Sequence, residues 1–166
     1  MTQVDERREF LDLLALAPGA NLLEVVDPAV ECPNDSYDGI LCVDGIARVR
    51  DRAAALDAWA RALKPGGRVL YTDPAIIAGL VTADEVAACS RGELFVLSPQ
   101  GENESLIDAA GLRLLRADDA SEAVALQADV PARSDDEVQR RFRDATRTLA
   151  AERRLARIAF LAEKPR

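Results

Sequence analysis

Histidine is absent from all 166 residues. That absence excludes Ser–His and Cys–His nucleophile pairs, imidazole general bases and His-based metal sites, and leaves carboxylates, Tyr and Lys for any acid–base chemistry. The three cysteines, Cys32, Cys42 and Cys89, are too few and too scattered for a disulfide framework or a zinc site, which points to a reducing cytoplasm. Only 4% of the residues are aromatic, so the core has to be built mainly from Leu, Val, Ile and Ala. No apolar run reaches the length of a transmembrane helix, and the charged stretch Met1–Glu9 is unlike a signal peptide. The net charge of −8 argues against a nucleic-acid or anionic-membrane footprint.

A further absence is local. Leu22, Leu23, Glu24 and Val25 read as a strand ending on an acid, and the chain then continues through Val26, Asp27 and Pro28 without a glycine until Gly39. A strand that presents a nucleotide-type cofactor opens into a Gly-rich turn, because only glycine allows close backbone approach and positive φ. Here it opens into a short acidic loop.

What is present is coherent. With 49% hydrophobic and 30% charged residues the chain reads as one globular domain with a real core. Val4, Phe10, Leu11, Leu13, Leu14 and Leu16 lie near helical spacing, stopped by Pro18 and Gly19. Residues 21–26 and 37–44 read as strands, the second ending on Asp44. Asp51 is placed to cap a helix whose stripe is Ala55, Leu56, Trp59, Ala62 and Leu63. Lys64, Pro65, Gly66 and Gly67 then form a turn into a strand over 68–73 that ends on Asp73, giving a βαβ unit. Thr82 to Glu85 is a capping box, 103–110 a helix stopped by Gly111, and 112–116 a strand. Ser134 to Glu137 is a second capping box, opening a helix with Val138, Phe142, Ala145 and Leu149 on one face. Residues 156–163 form a last apolar strand, and 118–133 are the most loop-like.

The 37–44 strand, the 52–63 helix, the Leu63-Lys64-Pro65-Gly66-Gly67 turn and the 68–73 strand together resemble the middle of a Rossmann-like (class I) S-adenosylmethionine-dependent methyltransferase. The run from Gly101 to Leu115 looks like the helix and strand that come next in these enzymes, and Glu152 to Pro165 is similar to their reversed C-terminal strand. The resemblance covers most of residues 10–165. It implies an α/β fold with a reduced Rossmann-like methyltransferase sheet of about five strands. The first strand lies at the edge, the last is antiparallel, and helices cover both faces. The domain expectation is a single methyltransferase-like unit over 1–166, lacking the Gly-rich cofactor turn and the two βα units after it, roughly fifty residues by the size of such units.

By the same resemblance, Glu24 matches the acidic end of the first strand, and Asp44, Gly45 and Ile46 match the segment past the family's fourth strand. These four are the residual cofactor-binding candidates, with S-adenosylmethionine implied by resemblance alone. Asp73, Pro74, Ile76 and Ile77 are the substrate-side candidates. Each lost cofactor contact is worth about 1–3 kcal/mol, so losing several weakens a micromolar site by orders of magnitude. The expected function is therefore a divergent, truncated superfamily member with weak or no cofactor binding as a monomer. The alternatives are a non-catalytic partner-binding or regulatory pseudoenzyme, and a cofactor-independent small-molecule binder or enzyme. Partners expected are a small molecule, and either a second copy joined through the exposed first-strand edge or a partner methyltransferase; nucleic acid and membrane are not expected.

Individual side chains carry competing readings. Asp44 and Asp73 form a shared polar pocket, or each merely caps the helix or loop after its strand. Glu102, Asn103 and Glu104 form a small acid cluster at a pocket mouth, or supply N-terminal capping and dipole partners for the helix they open. Cys42 reads as core, and Tyr71 faces either core or cleft. Arg140, Arg141, Arg143, Arg147, Arg153 and Arg154 read as a solvated helix face.

Overall fold

The computed structural model describes residues 3–28, 32–89, 97–121 and 137–166. Helix α1 (Gln3–Leu14) leads to β1 (Leu22–Glu24) and β2 (Tyr37–Cys42). A short 3-10 turn (Ile46–Arg48) precedes α2 (Arg52–Ala62) and β3 (Leu63–Ile76). After these come α3 (Ala83–Cys89), α4 (Glu102–Ala109), β4 (Arg113–Asp119), α5 (Glu137–Ala151) and β5 (Leu155–Glu163). The sheet order is β1-β2-β3-β5-β4, with β1, β2 and β3 parallel and β5 antiparallel to both neighbours. The first strand is thus at an edge and the last is reversed, as the sequence implies. The second capping box begins outside the described residues.

Alternation along the strands builds two core layers. Ile40, Val69, Tyr71, Phe160 and Ala162 face α2 and α4 through Leu56, Trp59 and Ile107. Leu41, Leu70, Ala159 and Leu161 face α1 through Phe10 and Leu14. Tyr71 takes the core side, stacked on Phe160 at 5.2 Å and tilted against Trp59 at 5.8 Å. A smaller cluster of Cys89, Leu97, Leu149 and Leu155 joins α3 and α5 beside the end of β3.

Two local differences from the sequence reading have physical causes. The expected turn at 64–67 is drawn into β3, because Leu63 pairs with Tyr37 while the Gly66 N–H donates to the Lys164 carbonyl at 2.8 Å. The same strand runs on past Asp73 to Ile76 because Pro74, Ala75 and Ile76 pair with Arg157, Ala156 and Leu155. The caps form as read: the Ala54 N–H donates to Asp51 at 2.9 Å, and Thr82 and Glu85 exchange backbone and side-chain bonds at 2.7 and 3.2 Å.

Candidate functional site

The carboxyl ends of parallel strands are where open α/β sheets hold ligands, and both strand-end aspartates are engaged there. They do not share a pocket. Asp73 continues the Val69–Tyr71 face, whereas Asp44 is bonded to Thr72 on the opposite face.

Asp73 is fully buried. Its carboxylate accepts from Arg52 Nη2 at 3.1 Å, Ser98 Oγ at 2.6 Å and Asn103 Nδ2 at 2.9 Å. Asn103 in turn accepts from the Tyr71 hydroxyl at 3.0 Å. Burial pushes the Asp73 carboxyl up, opposed by the Arg52 charge and the Ser98 and Asn103 bonds. This network ties the first turn of α2, the end of β3, the Ser98 segment and α4 together. It also corrects the capping assignment for Asn103. Gly101 occupies the N-cap position of α4 with no side-chain cap bond, and Asn103 turns inward. Glu102, at the mouth, lies 3.5 Å from Arg52 Nη1.

Asp44 sits in the left-handed region at φ 54°, a conformation aspartate tolerates and which its own bonds hold here. Its N–H donates to Thr72 Oγ1 at 2.8 Å, and the Thr72 hydroxyl donates back to Oδ1 at 2.9 Å. Arg157, from β5, donates to the two carboxylate oxygens at 2.6 and 2.9 Å. Its remaining Nη1 donates to Glu6 of α1, and the guanidinium lies 5.9 Å over the Phe10 ring.

The remaining cofactor candidates are closed in by the chain itself. The Val25 N–H donates to the Leu41 carbonyl at 2.8 Å, and Pro28 is buried. A Cβ placed on Gly45 would lie 2.6 Å from Cys42 Sγ, 3.4 Å from Pro28 Cγ and 3.6 Å from the Val26 carbonyl oxygen. The loop after β1 therefore lies beside the segment after β2, with room for little more than a methyl group between Gly45 and Pro28. Ile46 points into the core, fully buried. Glu24 is exposed and ion-paired with Arg7, whose hydrogen bond lowers its pKa. Burial pushes the Cys42 thiol up to about 11, so it behaves as core and not as a nucleophile.

On the substrate side, Pro74 is half-buried and Ile76 packs into the α3–α5 cluster, while Ile77 and Leu80 are exposed. A cavity of about 360 Å³ lies elsewhere, between α4 and the start of β4, lined by residues such as Ile107, Asp108, Leu112 and Arg113. Glu104 lines it, and none of the cofactor or substrate candidates does. On α5 and its exit, Arg140, Arg141, Arg147 and Arg153 are not buried, as read. Arg154 departs from that pattern: it binds Glu85 at 2.7 and 2.9 Å and the Leu80 carbonyl, strapping the 77–81 segment to α3.

Arg157, Glu6, Arg52 and Ser98 escaped the sequence reading. Two of them carried a signal. Arg157 interrupts an apolar strand, and Glu6 falls on the same helical stripe as Phe10 and Leu14.

A methyltransferase-domain family model matches residues 2–71, which span α1, the glycine-free loop, β2, α2 and most of β3. Over those residues the chain is similar to a methyltransferase domain, and its fold is that of Rossmann-like methyltransferases. No curated protein matches it in sequence. The geranyl diphosphate C-methyltransferase of Streptomyces coelicolor A3(2) is similar in structure, with a TM-score of 0.73 at 10% identity, covering 96% of this chain and 79% of that one. A sarcosine dimethylglycine methyltransferase-like protein of Galdieria sulphuraria gives 0.63 at 21% identity, covering 99% and 67%. A [4+2]-cyclase gives 0.59 at 16% identity, covering 83% of this chain and 54% of its own. This chain thus spans only about half the length of the cyclase. Among its described residues no helix is long and apolar enough to cross a membrane.

Proposed function

We propose that this chain is a divergent, reduced member of the methyltransferase superfamily that binds S-adenosylmethionine weakly or not at all as a monomer. The observation that carries the reading is the glycine-free loop after β1 lying beside Gly45, where an added Cβ would come within 3.4 Å of Pro28 and 3.6 Å of the Val26 carbonyl. In the family the resemblance invokes, the cofactor's methionine part needs a glycine turn after the first strand and its ribose an acidic residue on the second. Here the turn has no glycine, the second strand of that pattern is missing, and Pro28 and Val26 lie beside Gly45. The Asp44 carboxylate is committed to Arg157 and Thr72. These residues do not fit a tightly held S-adenosylmethionine, and no methyl-transfer step is assigned to them. A thermal-shift titration tests this: no rise in Tm with millimolar S-adenosylmethionine is expected, and a rise saturating at micromolar concentration contradicts it.

The fold by itself does not choose a reaction, as the cyclase neighbour illustrates. What favours a partner-binding role over a small-molecule one is the position of β1. It lies at the edge of the sheet, with Leu22 and Leu23 half-buried and Val26 81% exposed. An unpaired apolar edge accepts another strand, and we take a second copy of this chain, in a reducing cytoplasm, as its partner. Sedimentation should show a dimer at tens of micromolar, and a Val26→Lys monomer; a wild-type monomer at that concentration contradicts the pairing.

A further inference from the structure

The cavity of about 360 Å³ beside α4 lies at the far end of the sheet from Asp44 and Asp73. Arg113 and Arg68 both pair with Glu163 in the ladders, which puts this cavity at the amino end of the parallel strands. Its floor is apolar: Ile107 is fully buried, Leu112 is 4% exposed and Leu114 is half-buried. Its rim is charged. Glu104 and Asp108 both line it, four residues apart on α4 and so on one side of the helix. Arg113 lines it too, but its Nη2 already donates to Glu163 at 2.7 Å. Among the described residues, neither the Glu104 nor the Asp108 carboxylate has an ion pair or a hydrogen bond.

The helix carries these two acids at a cost. Like charges at i and i+4 repel each other. Asp108 also stands in the last turn of α4, at the negative end of the helix dipole, and that turn has no basic residue to offset it. A cation placed over this side of α4 relieves both effects, and the apolar floor beneath accepts a hydrocarbon group. The volume falls within the lower range of small-molecule pockets.

We infer that this cavity is a binding site for a small organic amine, with its ammonium between Glu104 and Asp108 and its apolar part over Ile107, Leu112 and Leu114. The site is independent of the cofactor cleft and of the β1 edge, since it uses no residue of either.

Hexylamine is the probe, followed through the backbone amide NMR signals of the purified protein at about pH 7. Saturable shifts confined to α4 and the start of β4 are expected, with a Kd of about 1 mM. That strength is within the limits for a ligand of about seven non-hydrogen atoms. Hexanoate, with a similar tail and the opposite charge, should give no saturable shift. Methylammonium, which lacks the tail, should bind about tenfold more weakly or worse. Glu104→Gln and Asp108→Asn should each weaken hexylamine about threefold or more. Both side chains are exposed, so both variants keep the fold. Asp108→Asn should also raise the Tm of the unliganded protein by about 1–4 °C, because the repulsion and the dipole clash go with the charge. Equal responses to hexylamine and hexanoate, shifts that do not saturate, or unchanged hexylamine affinity in both variants overturns the inference. A lower Tm for Asp108→Asn overturns it as well, by showing that the charge serves the fold. Because S-adenosylmethionine is not used, the outcome is separate from that of the cofactor titration.

Discussion

Arg157 reaches from the reversed strand β5 to hold both carboxylate oxygens of Asp44, 113 residues away, at 2.6 and 2.9 Å. The pairing of Pro74 with Arg157 in the antiparallel ladder puts that arginine at the carboxyl edge, where the parallel strands end. The edge at which open α/β sheets hold ligands is here joined by the protein's own charges.

Removing Arg157 should therefore be costly. Arg157→Met leaves Asp44 and the buried Glu6 without their cation, a change worth about 3–5 kcal/mol for buried pairs. Asp44 retains 26% side-chain exposure, so the lower end applies. The expected loss is about 3 kcal/mol by urea denaturation; a loss below about 1 kcal/mol contradicts the buried network.

Asp73 and Arg52 should behave as a coupled unit. Asp73→Asn and Arg52→Met each strand a buried partner and should each cost about 2–4 kcal/mol. The double variant should cost less than the sum by about 1–3 kcal/mol. Simple additivity in the double-mutant cycle would show that the 3.1 Å contact does not matter energetically.

Much of this scaffold was legible in the sequence. The Asp51 cap and the Thr82–Glu85 box come from local pattern, whereas the five-stranded sheet with its reversed last strand comes from the family resemblance. The fate of the site residues was not legible. Period-2 alternation places Thr72 and Asp73 on opposite faces, but it does not say which cation meets which carboxylate. That depends on Arg157 and Asp44 being brought together over 113 residues. Asn103 misled for a related reason: asparagine near a helix start usually caps, yet Gly101 holds the cap position and Asn103 lies over Asp73.

Gly45 has little room. Gly45→Ala sets a Cβ 2.6 Å from Cys42 Sγ and 3.4 Å from Pro28, and overpacking of this kind costs about 1–3 kcal/mol. In a Cys42→Ala background the added cost should shrink by about 1 kcal/mol or more. An unchanged cost in both backgrounds would mean that the sulfur is not what fills the space.

Acid should weaken the strap at α3. Hydrogen bonds from Arg154 and Thr82 hold the Glu85 carboxyl down at about 2, against an unperturbed 4.5. The folded pKa lies below the unfolded one, so this contribution is present above about pH 4.5 and is lost as pH falls toward 2. Asp73, with its pKa raised by burial, works in the opposite sense: its contribution is greatest at low pH and declines as pH rises through its folded pKa. Urea titrations between about pH 7 and about 2.5 should show Glu85→Gln less stable at neutral pH, with a shallower acid limb. An acid limb as steep as wild type contradicts the assignment.

The most direct test of the proposed weak cofactor binding is isothermal calorimetry of the purified protein with S-adenosylmethionine and S-adenosylhomocysteine. The glycine-free loop beside Gly45 predicts dissociation constants weaker than about 1 mM, where binding is worth no more than about 4 kcal/mol. A micromolar constant for either ligand would contradict it.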